Sequence, residues 1–125
     1  MDFQTAVRTV LQQKYADFNG RAPRSEFWWF YLAVIIAYIV VGIVGGLILG
    51  RFAGALIGLL GLAIIVPSLA LTARRLHDVD KSGWWMLIAI TGIGGLVLLY
   101  WYVQPGTSGP NRFGEDPLPQ AIAAT

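Results

Sequence analysis

The sequence contains no cysteine and only one histidine. Without cysteine the chain can form neither a disulfide nor a thiolate metal site, and no histidine or glutamate pair stands at metal-ligand spacing. It also lacks a phosphate-binding glycine loop and a serine in a nucleophile elbow. Because these signatures are missing, we expect no cofactor, no metal and no enzymatic activity.

Charge is missing from three long stretches of the chain. Asp, Glu, Lys, Arg and His are all absent from residues 27–50, 52–73 and 83–103. Each stretch is close to the roughly 20 helical residues needed to cross a hydrocarbon core. Since 56% of the 125 residues are hydrophobic and only 13% are charged, a soluble fold of this size cannot cover three such helices. The composition therefore predicts an all-α integral membrane protein.

The apolar pattern predicts a single membrane domain over residues 1–125. Its first 18 residues place Phe and Val at helical spacing, which favours an interfacial N-terminal amphipathic helix lying along the bilayer surface. Aromatic clusters at the ends of the apolar stretches are typical of interface anchors. The expected segments are an interfacial helix at 1–18, three transmembrane helices at 26–49, 53–74 and 83–103, and a turn-rich tail at 104–125.

The positive charges are distributed unevenly about these expected spans. Of the nine Lys and Arg residues, only Arg51 and Arg112 lie outside the N-terminal lead and the junction between the second and third spans. The positive-inside rule then places the N-terminus and the 74–82 loop in the cytoplasm. A three-span topology puts the tail on the opposite side of the membrane.

Glycines recur every four residues across the first two spans. A single helix through all of them would be more than twice as long as the hydrocarbon core is thick, so the chain must turn near Arg51. In the resulting hairpin we expect these glycines to bring the two helices close together, and contact with a second copy is the alternative. The expected packing residues are Gly42, Gly46, Gly54 and Gly58.

A charged junction, TARRLHDVDKSGWW at residues 72–85, separates the last two spans. On a continuing helix Asp78 follows Arg74 by four residues and Arg75 by three, so one carboxylate can bind two guanidiniums. Carboxylates here can also pair with arginines of the N-terminal lead, an arrangement that would lock the helices together. The other interpretations are a binding site for acidic lipid head groups and a catalytic centre. The candidate residues are Arg21, Arg24, Glu26, Arg74, Arg75, His77, Asp78, Asp80 and Lys81.

Three blocks of this sequence resemble domain-of-unknown-function family 805, a family of small bacterial inner-membrane proteins. The blocks are FNGRAPRSEFWWF at 18–30, RRLHDVDKSGWWML at 74–87 and PGTSGPNRFGEDP at 105–117. The resemblance implies a polytopic membrane protein with no established biochemical activity. It also implies that NRFGEDP forms a structured cap, with the tail-motif residues Asn111, Arg112 and Asp116.

These observations favour a non-enzymatic membrane component that binds a partner or associates with lipid. The expected partners are membrane lipids, with acidic head groups as candidates, and a second copy or another membrane protein, but not nucleic acid. The first alternative is a small transporter or channel subunit acting as an oligomer. The second is a membrane-embedded enzyme using the Arg, His and Asp residues of the junction.

Overall fold

A computed structural model describes residues 1–117 and is helical, with no strand in that range. This confirms the predicted all-α class, while the last part of the predicted tail, 118–125, lies outside the described residues. The elements in chain order are α1 (Phe3–Arg8) with a π-helical turn (Thr9–Gln13), α2 (Arg24–Leu49), a 3-10 turn (Gly50–Phe52), α3 (Ala53–Asp78), a 3-10 helix (Gly83–Ile90) and α4 (Gly92–Val103).

α2 and α3 form an antiparallel hairpin. Together with the turn between them they make a helical stretch of 55 residues, the one stretch in the described part that is long and apolar enough to cross a membrane. A straight helix of that length would measure about 80 Å, far more than a hydrocarbon core. The chain reverses at Gly50, whose φ of 58° favours glycine. As a result the Tyr31 hydroxyl lies 3.1 Å from Thr72 Oγ1 on the opposite helix.

The surface of this hairpin is strongly apolar. Only 6% of its most apolar 18-residue stretch is buried inside the protein. Leu47, Ile48 and Leu62 expose 83%, 74% and 70% of their surface. An apolar surface of this size is not stable in water. The backbone hydrogen bonds of an α-helix are made within the helix, as a hydrocarbon environment requires. The exposed surface agrees with the predicted membrane protein.

The glycines expected to pack the hairpin do not do so. A β-carbon added to Gly42, Gly46, Gly54 or Gly58 would meet nothing within 4 Å, so that prediction is wrong within the chain, and contact with a second copy stays a prediction.

Gly45 and Gly61 are the glycines that face the opposite helix. A β-carbon on Gly45 would lie 3.6 Å from Ala53 Cβ, and one on Gly61 would lie 3.4 Å from the Tyr38 hydroxyl. Neighbouring helical positions point roughly 100° apart. Gly46 directly follows Gly45, so the stripe of Gly42 and Gly46 faces in a different direction from Gly45. The register of the hairpin decides which glycines touch.

The N-terminal helix is shorter than the predicted 1–18 and packs on the hairpin. Asp2 caps it by accepting a hydrogen bond from the Thr5 backbone N–H at 2.8 Å, and hydrogen bonding to Thr5 lowers the pKa of the Asp2 carboxyl below its ordinary value. Ala6 and Val10 are fully buried. One face of this segment is therefore covered by protein.

Tyr15 compensates for a proline inside α3. Because Pro67 has no backbone N–H, the carbonyl of Ala63 loses its helical partner. The Tyr15 hydroxyl donates a hydrogen bond to that oxygen at 2.5 Å. The N-terminal segment thus supplies the donor that the helix lacks.

Residues 83–103 do not form the single helix that their composition predicts. Thr91 is extended, with φ −84° and ψ 139°, and its side chain caps α4 by accepting a hydrogen bond from the Gly94 backbone N–H at 3.0 Å. A β-carbon on Gly94 would overlap the Ile88 carbonyl, so glycine permits the reversal. The rings of Trp85 and Trp101 then lie 5.7 Å apart between centroids. Both ends of the segment therefore lie at the same end of the hairpin.

We expect Tyr15→Phe to lower the free energy of unfolding in detergent by about 1 kcal/mol, because the Ala63 carbonyl loses its donor. A reversible denaturation titration measures the loss. In a Pro67→Ala background, residue 67 regains a backbone N–H for Ala63, so the same substitution should cost little. Equal losses in the two backgrounds would contradict this explanation.

Candidate functional site: a buried charge cluster

Five charged side chains meet where α3 ends, and we call them the buried charge cluster. The helix continues to Asp78, four residues past the predicted end of the second span, and the following loop begins at Val79. The last five residues of α3 carry three of the five side chains inside the protein. The members, with their exposed fractions, are Arg21 (4%), Glu26 (1%), Arg74 (0%), Arg75 (0%) and Asp78 (2%).

Asp78 binds two guanidiniums, one from α3 and one from the N-terminal lead. Its Oδ1 lies 3.0 Å from Arg21 Nε, and its Oδ2 lies 2.6 Å from Arg75 Nη1. The predicted pairing of Arg74 with Asp78 is wrong, because Arg74 Nη1 donates to Glu26 Oε1 on α2 at 2.6 Å. Neighbouring arginines on a helix point roughly 100° apart, so they reach different partners.

The tail folds around the pair formed by Arg21 and Asp78. Arg21 Nη2 donates to the Thr107 carbonyl at 2.5 Å, and Nη1 donates to the Gly109 carbonyl at 2.7 Å. The Thr107 backbone N–H donates to the Asp78 carbonyl at 2.7 Å. A β-carbon on Gly106 would overlap the Asp78 carboxylate, so glycine is required for this approach.

The C-terminal end of α4 also rests on arginine side chains. The last carbonyls of a helix have no partner within it and carry partial negative charge, which favours nearby cations. Two arginines donate to them, and the Trp28 indole N–H adds a bond to the Tyr102 carbonyl at 3.2 Å. Arg75 donates to the carbonyls of Tyr102 at 3.3 Å, Trp101 at 3.4 Å and Gln104, and Arg24 donates to the Val103 carbonyl at 3.1 Å.

The tail motif docks on His77. The His77 and Phe113 rings are stacked, with centroids 4.0 Å apart and planes 3° apart. Asn111 Nδ2 donates to the His77 carbonyl at 2.9 Å. The expectation that the tail lies opposite the other two blocks is therefore wrong, because residues 83–103 return the chain to the junction. All three blocks share one site.

Several predicted site residues lie outside the buried charge cluster. Asp80 and Arg112 form an ion pair at 3.3 Å, with side chains 47% and 61% exposed. The Lys81 ammonium lies 5.5 Å from the centroid of the Trp101 ring. Asp116 accepts a backbone hydrogen bond within the tail at 3.1 Å. These contacts are peripheral, and exposed ion pairs of this kind contribute little to stability.

The buried charge cluster contains three cations and two anions. Backbone carbonyls of the tail and of α4 compensate for the excess positive charge, and Arg74 Nε also donates to the Asp17 carbonyl at 3.1 Å. Arg74 Nη2 is buried with no hydrogen-bond partner in residues 1–117. The guanidiniums are buried and donate hydrogen bonds to several segments of the chain, so they hold these segments together. Because they are buried, a lipid phosphate cannot reach them.

Many of the hydrogen-bond acceptors in the buried charge cluster could not be predicted from the sequence. They are main-chain oxygens, such as those of Asp17, Tyr102 and Thr107. Every residue type carries such an oxygen, so residue identity does not mark them. The glycines and prolines of the tail indicate turns, and the family resemblance implies a structured cap, but neither identifies these carbonyls.

The sequence profile described as "Protein of unknown function (DUF805)" matches residues 15–115. The match includes every member of the buried charge cluster. The chain belongs to the DUF805 family. This membership confirms the resemblance carried by the three blocks, and no solved structure matches the DUF805 chain.

Two DUF805 relatives come from Escherichia coli strain K12, and both are named inner membrane proteins. Inner membrane protein YhaI is 45% identical over 106 residues, covering 84% of this chain and 89% of its own. Inner membrane protein YhaH is 40% identical over 109 residues, covering 84% of this chain and 90% of its own. These names agree with the membrane character predicted from composition.

Asp78→Asn should destabilise the protein by about 3 kcal/mol or more, because it leaves two buried guanidiniums without their shared carboxylate. Asp80→Asn, which touches an exposed pair in the next turn, should cost less than about 1 kcal/mol. Denaturation in the same detergent compares the two. Similar losses for both variants would show that the buried ion pairs of Asp78 stabilise the fold no more than the exposed pair of Asp80.

Proposed function

We propose that this DUF805 chain is a non-enzymatic, lipid-associated component of the bacterial inner membrane that binds an acidic phospholipid through Arg24. The observation that carries the proposal is a groove of about 530 Å³ whose lining includes the exposed Arg24. The names of YhaH and YhaI support the location. The pairing of both buried carboxylates with arginines supports a structural role for the cluster.

The proposed topology has two crossings, made by α2 and α3, and a re-entrant segment at 83–103. It differs from the three crossings that composition predicts. Every Lys and Arg except Arg51 then belongs to the end of the hairpin that carries the buried charge cluster. The positive-inside rule puts that end, with the N-terminus and the tail, in the cytoplasm. α1 lies at this interface.

Arg24 is suited to a phosphate in a way that the buried arginines are not. One of its guanidinium N–H groups donates to the Val103 carbonyl, and the described residues give it no other hydrogen bond. A guanidinium binds phosphate oxygens in pairs, and cationic pockets on the cytoplasmic side favour acidic head groups. The lipid contact expected from Arg21, Arg74 and Arg75 is therefore assigned to Arg24.

The walls of the groove suit the apolar part of a phospholipid. Trp28, Trp29 and Leu32 line it and expose 41%, 38% and 41% of their surface. Trp residues at the membrane interface present an apolar ring to the acyl region and an N–H to the head-group region. A lipid placed here would cover side chains that the protein leaves uncovered.

Arg24→Gln should lower the amount of phosphatidylglycerol retained by the purified protein about tenfold, as expected for the loss of a charge-assisted bond worth about 1.4 kcal/mol. Native mass spectrometry from mild detergent counts the bound lipid. Arg51→Gln removes the same charge at the other end of the hairpin and should leave retention unchanged. Retention by Arg24→Gln at the level of the unaltered protein would refute the assignment.

A further inference from the structure

A second pocket, of about 500 Å³, lies between the end of α3 and the 3-10 helix Gly83–Ile90. It shares no lining residue with the Arg24 groove, and no Lys, Arg, Asp or Glu lines it. Its apolar lining includes Phe18, Leu69, Trp84 and Leu87, and two polar side chains, His77 and Ser82, join them. Its volume is within the range typical of ligand sites, which are also mostly apolar with a few polar groups.

His77 presents a hydrogen-bond acceptor to this pocket. Its Nδ1 lies 2.9 Å from the Gly20 carbonyl, which can only accept, so Nδ1 carries the proton and Nε2 of the neutral ring is left with a lone pair. Nε2 is on the pocket side, where a β-carbon on Gly83 would be 3.7 Å away. No residue in 1–117 donates a hydrogen bond to Nε2.

The surroundings of the imidazole favour the neutral ring. Two cations, Arg112 and Arg74, disfavour a second proton on the ring, and the pocket wall is apolar. A second proton would place a positive charge near two others in a medium that solvates it poorly. Nε2 therefore keeps its lone pair available.

Ser82 supplies the complementary group. Its oxygen accepts a hydrogen bond from the Trp84 backbone N–H at 3.3 Å, and its own O–H remains able to donate. An acceptor and a donor on one wall match a ligand hydroxyl, which donates to Nε2 and accepts from Ser82. A charged head group would have to lose its hydration beside an uncharged wall.

We infer that this pocket binds an uncharged membrane lipid of the diacylglycerol class through its free hydroxyl, which bonds to His77 and Ser82. The acyl chains lie against Leu69 and Leu87. The side of the pocket near Trp84 is open, since this side chain is 79% exposed, and Leu87 is 54% exposed. Such apolar surface at the edge of a membrane hairpin is reached from the bilayer, so the lipid enters sideways.

The single histidine makes the test direct. We would label the full chain with ¹⁵N-histidine in micelles and titrate it with 1,2-dioleoylglycerol. The Nε2 resonance should shift saturably, because a new hydrogen bond forms at that nitrogen. The 3-acetyl derivative, which keeps the chains but caps the hydroxyl, should leave the resonance in place. An unmoved resonance, or an equal shift with the capped lipid or with dioleoylphosphatidic acid, would overturn the inference.

A pair of variants locates the lipid. Leu69→Trp fills the pocket from a side chain that is already 42% exposed, and it should weaken the titration on the order of tenfold. Leu62→Trp lies seven residues earlier on the same face of α3 and outside the pocket, so its titration should match that of the unaltered chain. Equal titrations for the two variants would place the lipid elsewhere and overturn the inference.

Discussion

The rest of the structure depends on one buried carboxylate, that of Asp78, shared between Arg21 and Arg75. Arg21 ties the N-terminal lead to the tail, and Arg75 ties α3 to the carbonyl end of α4. Burying such charges costs much of what their attraction returns, so their net contribution to stability is limited. Their effect is on arrangement, because any displaced segment would leave an unpaired charge inside the protein.

The sequence predicted the parts of this arrangement that depend on local spacing. The charge-free stretches indicate the hairpin, and the three-residue interval between Arg75 and Asp78 indicates their pair. Spacing could not select Glu26 as the partner of Arg74, since the two are 48 positions apart. Spacing also could not show that Thr91 caps a new helix. An apolar stretch of the right length predicts a transmembrane span whether or not the chain reverses within it.

The arginines of the buried charge cluster already donate to protein acceptors, so the proposed ligand sites lie at Arg24 and His77 instead. A guanidinium that already donates to carboxylates and carbonyls has few N–H groups left and no surface from which to reach a head group. The buried charge cluster builds one end of the hairpin, and the two pockets around it differ in polarity. The groove at Arg24 favours a charged head group, whereas the pocket at His77 favours a neutral hydroxyl. The buried charge cluster thus supports both sites, and none of its five side chains lines either of them.

The most direct test of this account is the side of the membrane on which the tail lies. The chain has no cysteine, so Gln4→Cys, Phe52→Cys and Ser108→Cys each provide one label site for a maleimide that cannot cross the inner membrane. With that membrane intact and the outer membrane permeabilised, only Phe52→Cys should react, and the other two should react after disruption. Reaction of Ser108→Cys together with Phe52→Cys before disruption would mean that residues 83–103 cross the bilayer, and would contradict the shared site.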